Sequence, residues 1–222
     1  LAAGRVRDGG GSAMTLVVGD PARDGTYTDE GIVCQMRFVA ASNGKLSVDW
    51  SRCDGAEKKH TGYRFGHAIA VGNFGATNAD GSASAACGVP EEIAVSSPGE
   101  WDKTNPYSPV ALTGAVRILA QSEDGAEPSL TPLQIHYGEY GEKLGGALAA
   151  DYVQRNIHED LVIGSPERAG NFGGMSLTRA ERPNGGCDDM SGTSKPGASI
   201  VARTCASLSA VPGVAAASNN AP

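Results

Sequence analysis

Residues able to perform chemistry are few in this sequence, and they do not form a familiar catalytic set. There is no Gly-x-Ser-x-Gly elbow and no His-Glu-x-x-His zinc motif, and the four histidines share no evident partner. Ser42 and Lys45 have Ser-x-x-Lys spacing. However, the intervening Asn43-Gly44 favours a hairpin turn, whereas that catalytic motif needs a helix to align its serine with its lysine. The sequence therefore predicts a chain that is not itself an enzyme.

The five cysteines are the second group of residues whose side chains could take part in chemistry. Cys34 and Cys53 bound a predicted hairpin turning at Asn43-Gly44, and the ends of such a hairpin lie close enough for a disulfide. We predict a second disulfide between Cys187 and Cys205, with reduced, buried thiols as the alternative to both. Disulfides would indicate an oxidising compartment. No two cysteines have the Cys-x-x-Cys spacing typical of zinc.

The amino-acid composition indicates a turn-rich chain, and it disfavours two classes of partner, nucleic acids and membranes. The sequence has 31 Gly and 12 Pro against 5% aromatic residues, which indicates many turns. The net charge of -7 is spread along the chain, and Lys58-Lys59-His60 is the one basic cluster. Nucleic acid is therefore not an expected partner, since phosphate binding needs clustered Lys and Arg. No apolar stretch approaches the roughly 18 residues of a membrane span.

A short apolar pattern ending in Gly-x-Pro occurs three times, at intervals of roughly 70 residues. The three copies are Thr15–Pro21, Ser84–Pro90 and Asp160–Pro166. Each copy follows a small apolar alternation: Leu1-Ala2-Ala3, Ile69-Ala70-Val71 and Leu148-Ala149-Ala150. Each copy precedes a glycine that opens another predicted strand: Gly31, Gly114 and Gly173. A repeat of this length suits a four-stranded antiparallel sheet with long loops, and such sheets stacked around an axis form a β-propeller.

The second repeat contains an aromatic-glycine step, an apolar strand, a polar turn and the Gly-x-Pro ending. These parts are Phe65-Gly66, Ile69-Ala70, Gly72-Asn73, Asp80-Gly81 and Gly88-Val89-Pro90. Their order resembles the FG-GAP repeat, the propeller blade of integrin α-subunits and many exported bacterial proteins. The third repeat keeps Leu144-Gly145 and Gly164-Ser165-Pro166, while the first begins inside its motif at Leu1. In this alignment Cys87 replaces Val18 and Ile163, which predicts a small buried hydrophobe with a free thiol.

The resemblance implies an all-β fold, a β-propeller segment of about three four-stranded antiparallel blades. Blade 1 would span residues 1–64 and be truncated at its start, blade 2 would span 65–143, and blade 3 would span 144–206. Residues 207–222 would be a linker or a disordered tail. Since a propeller typically has about 4–8 blades, we expect the remaining blades in the same precursor or in another chain.

Calcium is a cofactor that the resemblance suggests, because the loop between the first two strands of an FG-GAP blade often binds it. The second repeat offers the oxygen-bearing side chains Asn73, Asn78, Asp80 and Ser82. The spacing is altered, and Asn stands where the family has its first Asp. The alternative is that these residues form turns and cap their own backbone.

The segment from Glu91 to Gly114 has no counterpart in the other repeats. It contains three prolines, together with Trp101 and Tyr107, which we predict to be ligand-binding residues because aromatic side chains can stack on sugars or fill a partner's pocket. The alternative is that both aromatics only attach the loop to its own blade.

These observations favour a secreted or extracellular recognition module that binds a cell-surface or secreted protein or glycan without catalysis. The alternative is an accessory targeting domain of a secreted hydrolase or toxin whose active site lies in another domain or chain. An enzyme with a site between blades is a third class, for which the sequence contains no motif. Fold analogy supports the first function, and a fold does not by itself determine a function.

Overall fold

The computed structural model describes residues 2–4, 14–40, 44–56, 60–72, 74, 92–101, 112–121, 129–139, 141–151, 160–167, 173–181 and 199–205. Throughout these residues the regular structure is β, and every pair of strands is antiparallel. The predicted all-β class is confirmed for this part of the chain. In the same residues no helix is long and apolar enough to cross a membrane.

The described strands form three four-stranded sheets, in each of which a strand pairs with the next one along the chain. Sheet 1 contains β1 (Ala2–Gly4), β2 (Met14–Asp20), β3 (Ile32–Ala40) and β4 (Leu46–Asp54). Sheet 2 contains β5 (Ile69–Gly72), β6 (Glu92–Ser97), β7 (Ala115–Gln121) and β8 (Leu130–Tyr137). Sheet 3 contains β9 (Ala147–Asp151), β10 (Asp160–Ser165), β11 (Gly174–Glu181) and β12 (Ser199–Cys205). Each sheet lies inside one of the spans 1–64, 65–143 and 144–206, and residues 207–222 lie outside the described residues.

The third strand of every sheet begins directly after a glycine, as the repeat pattern predicts. Gly31, Gly114 and Gly173 have φ angles of 78°, 70° and 73°. These angles lie in the left-handed region, which an L-residue with a Cβ atom rarely adopts. Glycine at this point therefore lets the chain turn into β3, β7 and β11, so the recurrence of glycine has a local backbone cause.

Strand pairing corrects the alignment of the second repeat. Gly19 pairs with Val33 and Gly164 pairs with Met175, in each case two residues after the strand-opening glycine. The residue in this register in sheet 2 is Ser96, which pairs with Val116. The motif of the second repeat is therefore Ser96-Ser97-Pro98, and the prediction of Gly88-Val89-Pro90 was wrong.

The physical reason for this error is that a serine takes the place of the expected glycine. The Ser96 hydroxyl accepts a hydrogen bond from the Ala68 N–H at 2.9 Å, so the side chain has a role of its own there. By the same register, Val95 rather than Cys87 corresponds to Val18 and Ile163. Cys87 lies outside the described residues.

Within the part of the chain that the structure describes, the hydrophobic core consists of two clusters, each lying between neighbouring sheets. The cluster between sheets 1 and 2 comprises Val17, Val33, Ala56, Tyr63, Phe65, Ile69, Ile93, Val95 and Leu119. The cluster between sheets 2 and 3 comprises Ala70, Phe74, Ala94, Val116, Ile118, Leu144, Leu161 and Ile163. The first strands β1, β5 and β9 lie side by side. The three sheets are thus stacked face to face, with sheet 2 covered on both faces.

The aromatic-glycine and leucine-glycine steps join neighbouring sheets through backbone hydrogen bonds. The Phe65 N–H donates to the Glu30 carbonyl of the sheet 1 region at 3.1 Å, and the Gly66 N–H donates to the Ser96 carbonyl of sheet 2 at 3.0 Å. The second joint repeats this pattern. Its hydrogen bonds run from Leu144 to Thr113 at 2.9 Å and from Gly145 to Gly164 at 3.0 Å. Each step therefore belongs to two sheets at once.

Candidate functional site

The Trp101–Leu112 segment enters and leaves sheet 2 at a single fixed point. Trp101 and Leu112 form an isolated antiparallel bridge. Just inside this bridge, the N–H groups of Thr113 and Gly114 both donate to the Glu100 carbonyl, each at 2.9 Å. The two ends of the segment are therefore held together at its base by backbone hydrogen bonds, which do not depend on the side chains that it carries.

A buried ion pair supports this base. Arg117 on β7 donates through Nη1 to Glu100 Oε2 and through Nη2 to Glu100 Oε1, the second at 2.7 Å. The side chains of Arg117 and Glu100 are only 7% and 4% exposed. The Arg117 guanidinium also lies over the Tyr63 ring, with Cζ 5.6 Å from the ring centroid. A bidentate pair with a stacked aromatic ring fixes both orientation and distance.

The charge states of this cluster suit a structural role better than proton transfer. Burial raises the pKa of the Tyr63 hydroxyl far above its usual range, although the nearby Arg117 charge opposes the shift. Burial, the largest single influence on Arg117, acts to lower its pKa, but the hydrogen bonds that Arg117 donates to Glu100 and the electrostatic attraction of nearby acidic groups together outweigh burial, so the pKa is raised. Tyr63 therefore stays neutral and Arg117 stays charged over the physiological pH range. Neither group is suited to act as a general acid or base there.

A cavity of about 330 Å³ lies between sheets 1 and 2, beside the ion pair. Its walls are formed by Asp54, Gly55, Ala56, Phe65, Arg117, Leu119, Leu130 and Pro132. Asp54 Oδ1 accepts a hydrogen bond from Arg52 Nε at 2.9 Å. Asp54 Oδ2 is buried and has no hydrogen-bond partner within the described residues. The cavity therefore combines an apolar lining with one carboxylate and one guanidinium.

The predicted ligand-binding residue Trp101 lies at the base of its segment, and Tyr107 lies outside the described residues. The Trp101 side chain is half-buried, and its ring centroid lies 4.9 Å from that of His60. His60 in turn makes an edge-to-face contact with Tyr63 at 4.9 Å. Trp101 thus packs against the connection between sheets 1 and 2 as well as lying beside the base of the segment.

The predicted calcium ligands Asn73, Asn78, Asp80 and Ser82 all lie outside the described residues. At the described ends of this loop, the buried Glu92 carboxylate accepts the Phe74 N–H at 2.7 Å. Across the residues that the structure describes, no group of three or more His, Cys, Asp or Glu side chains is placed to hold a metal ion. Calcium in this loop stays a prediction.

The predicted disulfide between Cys34 and Cys53 is present. The two residues are direct partners in the β3–β4 register, so the hairpin brings them together. Gly44 has the positive φ of 74° expected of the predicted turn, whereas Asn43 lies outside the described residues. Cys187 lies outside them as well, and the structure describes Cys205 only as the last residue of β12. The second disulfide stays a prediction.

Sequence reasoning did not single out Glu100, Arg117, Tyr63 or Asp54. A signal for Arg117 was present, because a lone charge stands among the apolar residues of Ala115–Gln121. A charged residue in a strand that is otherwise apolar is rarely buried unless it is paired. The identity of its partner could not be read from the pattern, because Glu100 is in a loop and is separated from Arg117 by a long insertion.

Comparison with known proteins does not assign the chain to a family. A scan against protein-family models gives no match. A search of curated proteins likewise gives no match. The function must therefore be argued from the geometry of this chain.

Proposed function

We propose that the three sheets are consecutive FG-GAP-like blades of a β-propeller in an exported protein. The face-to-face stacking of the sheets and the repeated joints at Phe65-Gly66 and Leu144-Gly145 support this proposal. The outer face of sheet 1 supports it as well. Met36 corresponds in register to Leu119, yet Met36 is half-buried whereas Leu119 is only 4% exposed under sheet 1. In the proposed arrangement a further blade, from the same precursor or from another chain, covers the face that carries Met36.

We further propose that this propeller segment recognises an extracellular protein or glycan without catalysing a reaction. The observation that carries the proposal is the fixed base of the Trp101–Leu112 segment. A long segment held on a rigid scaffold is a common form of binding loop. Holding its ends lowers the ordering cost that must be met on binding. The residues between the ends include Tyr107 and two prolines, Pro106 and Pro109, a composition that suits a recognition surface.

The test is to replace residues 102–111 by a four-residue Gly-Ser linker in the full chain. Wild type and variant are applied to an array of immobilised glycans and purified extracellular matrix proteins. We expect wild type to bind at least one probe, and the variant to bind that probe at least tenfold more weakly at an unchanged melting temperature. Trp101→Ala is a weaker test, since Trp101 also packs against His60 and its loss would disturb the base.

The matched control replaces residues 122–128, the connection between β7 and β8 in the same sheet, by the same linker. It should leave probe binding unchanged, because it alters a different connection. Full retention of binding after replacement of residues 102–111 would contradict the proposal, and so would the absence of binding to every probe by folded wild type.

A further inference from the structure

The lining of the cavity between sheets 1 and 2 contains both polar and apolar side chains. Asp54 and Arg117 supply the polar groups, while Leu119, Leu130 and Pro132 are among its apolar lining. We propose that this cavity binds the ring of a neutral sugar, with Asp54 accepting hydrogen bonds from sugar hydroxyls and Arg117 donating to them. This inference rests on the proposed recognition function and gives it a ligand class and a place.

The cavity lining carries one acidic and one basic side chain, and this balance of charge favours a neutral ligand. An anion would be attracted by Arg117 but repelled by Asp54, and a cation would meet the reverse situation. Moreover, Arg117 is already neutralised by Glu100, and Asp54 is held by Arg52. A hydroxyl group both donates and accepts, so one ring can satisfy a carboxylate and a guanidinium together.

Both polar residues retain hydrogen-bonding capacity after their protein contacts are made. Arg117 has five N–H donors, and its contacts with Glu100 use two of them. Asp54 Oδ2 is buried without a partner among the residues described. A buried acceptor without a donor is costly, so a ligand hydroxyl placed there would relieve that cost.

Gln35 provides further unused hydrogen-bonding capacity in the layer between sheets 1 and 2. It is fully buried on β3, and neither of its amide atoms has a hydrogen-bond partner in the described part of the chain. Its position alternates in phase with Val33, which belongs to the cluster between sheets 1 and 2. Val33 is in turn the direct strand partner of Asp54. Polar groups with open capacity therefore lie on the face of sheet 1 that borders the cavity.

Size and lining agree with a single ring. A volume of about 330 Å³ lies at the lower end of the range of roughly 300–1,000 Å³ found for small-ligand pockets. The C–H face of a sugar ring would pack against Leu130 and Pro132, while its hydroxyl edge would face Asp54. The Arg117–Glu100 pair connects this position to the base of the Trp101–Leu112 segment.

The experiment uses the full 222-residue chain and four free sugars at millimolar concentration: glucose, galactose, mannose and N-acetylglucosamine. Titration calorimetry and saturation-transfer NMR measure binding. We expect at least one sugar to bind, Asp54→Asn to weaken that binding at least tenfold, and Asp49→Asn to leave it unchanged. Asp49 is a suitable control, since it is the other aspartate of β4 paired with an arginine, Arg37, and it does not line the cavity.

Amide chemical shifts of wild type provide a readout that does not depend on any variant folding. The bound sugar should shift Gly55 and Leu130 and leave the amides of sheet 3 unchanged. The cavity assignment is overturned if none of the four sugars binds, if Asp54→Asn binds as wild type does, or if the shifts cluster elsewhere. Array binding that is lost with residues 102–111, together with no free-sugar binding, would overturn the cavity assignment alone and leave the recognition function standing.

Discussion

At the scale of single residues, the Arg117–Glu100 pair shows how charge and backbone structure are combined. The pair is almost fully buried, and the Glu100 backbone carbonyl accepts the two N–H groups that close the Trp101–Leu112 segment. A buried pair does not necessarily stabilise a fold relative to apolar residues of the same size. The role of the pair here is geometric. Arg117 fixes the position of Glu100, whose carbonyl holds together the two ends of the Trp101–Leu112 segment.

Arg117→Met should destabilise the protein by about 3–5 kcal/mol, because it leaves the Glu100 carboxylate buried without its partner. The matched control is Lys143→Met, which removes the pair between Lys143 and Glu167, whose side chains are 36% and 38% exposed. That change should cost no more than about 1 kcal/mol. Urea unfolding followed by circular dichroism measures both values. Equal losses in the two variants would show that burial does not set the importance of the Arg117 pair.

At the scale of elements, close approach of backbones explains why sheet 1 and the Phe65-Gly66 step fit together. A Cβ atom built on Gly19 would lie 2.0 Å from the Gly66 carbonyl oxygen. At the corresponding position of sheet 3, a Cβ on Gly164 would have its nearest contact at 3.4 Å, with the Ala147 Cβ. At the same register position, an added Cβ atom would therefore clash in sheet 1 and make only ordinary van der Waals contacts in sheet 3.

Gly19→Ala should destabilise the protein by about 1–3 kcal/mol, because the added methyl group must push two backbone segments apart. Gly164→Ala should remain within about 1 kcal/mol of wild type, since an alanine there replaces a flexible residue without a clash. Neither glycine is among those with positive φ, so the comparison isolates the contact. Thermal unfolding measures both variants. A Gly19→Ala protein as stable as Gly164→Ala would refute the contact argument.

The elements were more predictable from the sequence than the contacts between them. Gly31, Gly114 and Gly173 marked the starts of three strands, because their left-handed conformation is a local requirement. The Cys34–Cys53 disulfide was predictable for the same reason, as a hairpin fixes its own ends. The register of sheet 2 was not, since Ser96 replaces the glycine on which the alignment relied.

The candidate cavity could not be predicted from patterns in the sequence. Its polar residues, Asp54 and Arg117, come from different sheets, and their proximity depends on how two sheets stack. Side-chain alternation indicates which residues leave one face of a strand, but it does not indicate which strand of another sheet that face will meet. Tyr107 and the predicted calcium ligands stay predictions, because they lie outside the described residues.

At the scale of the whole molecule, sheet 1 differs from the central sheet. Sheet 2 is covered on both faces, and its residues Ile93, Val95 and Leu119 are almost fully buried under sheet 1. The equivalent residues of sheet 1, including Met36, are only half-buried. Apolar character on a half-covered face is typical of a surface that another element covers.

Met36→Lys should change the stability of this chain by less than about 1 kcal/mol, because a lysine on a half-open face can extend its ammonium group to water. Val95→Lys on the covered face of sheet 2 should cost more than about 3 kcal/mol, since Val95 is fully buried under sheet 1, does not line the cavity, and would be replaced by an unpaired buried charge. Chemical unfolding of the two variants gives the comparison. If Met36→Lys is as damaging as Val95→Lys, the face of sheet 1 is already covered and needs no further blade.

The shared joints at Phe65-Gly66 and Leu144-Gly145 also limit how such a molecule can be rearranged by duplication or recombination. Each joint donates one backbone hydrogen bond to the sheet before it and another to the sheet after it. A gene segment that encoded only the four strands of one sheet would therefore leave a carbonyl such as that of Glu30 without its donor. Because each joint bonds to both of its neighbouring sheets, the module that can be copied is a sheet together with one complete joint. Duplication or deletion should therefore add or remove a whole sheet with its joint, and hybrid proteins should be joined at the boundaries of the same unit.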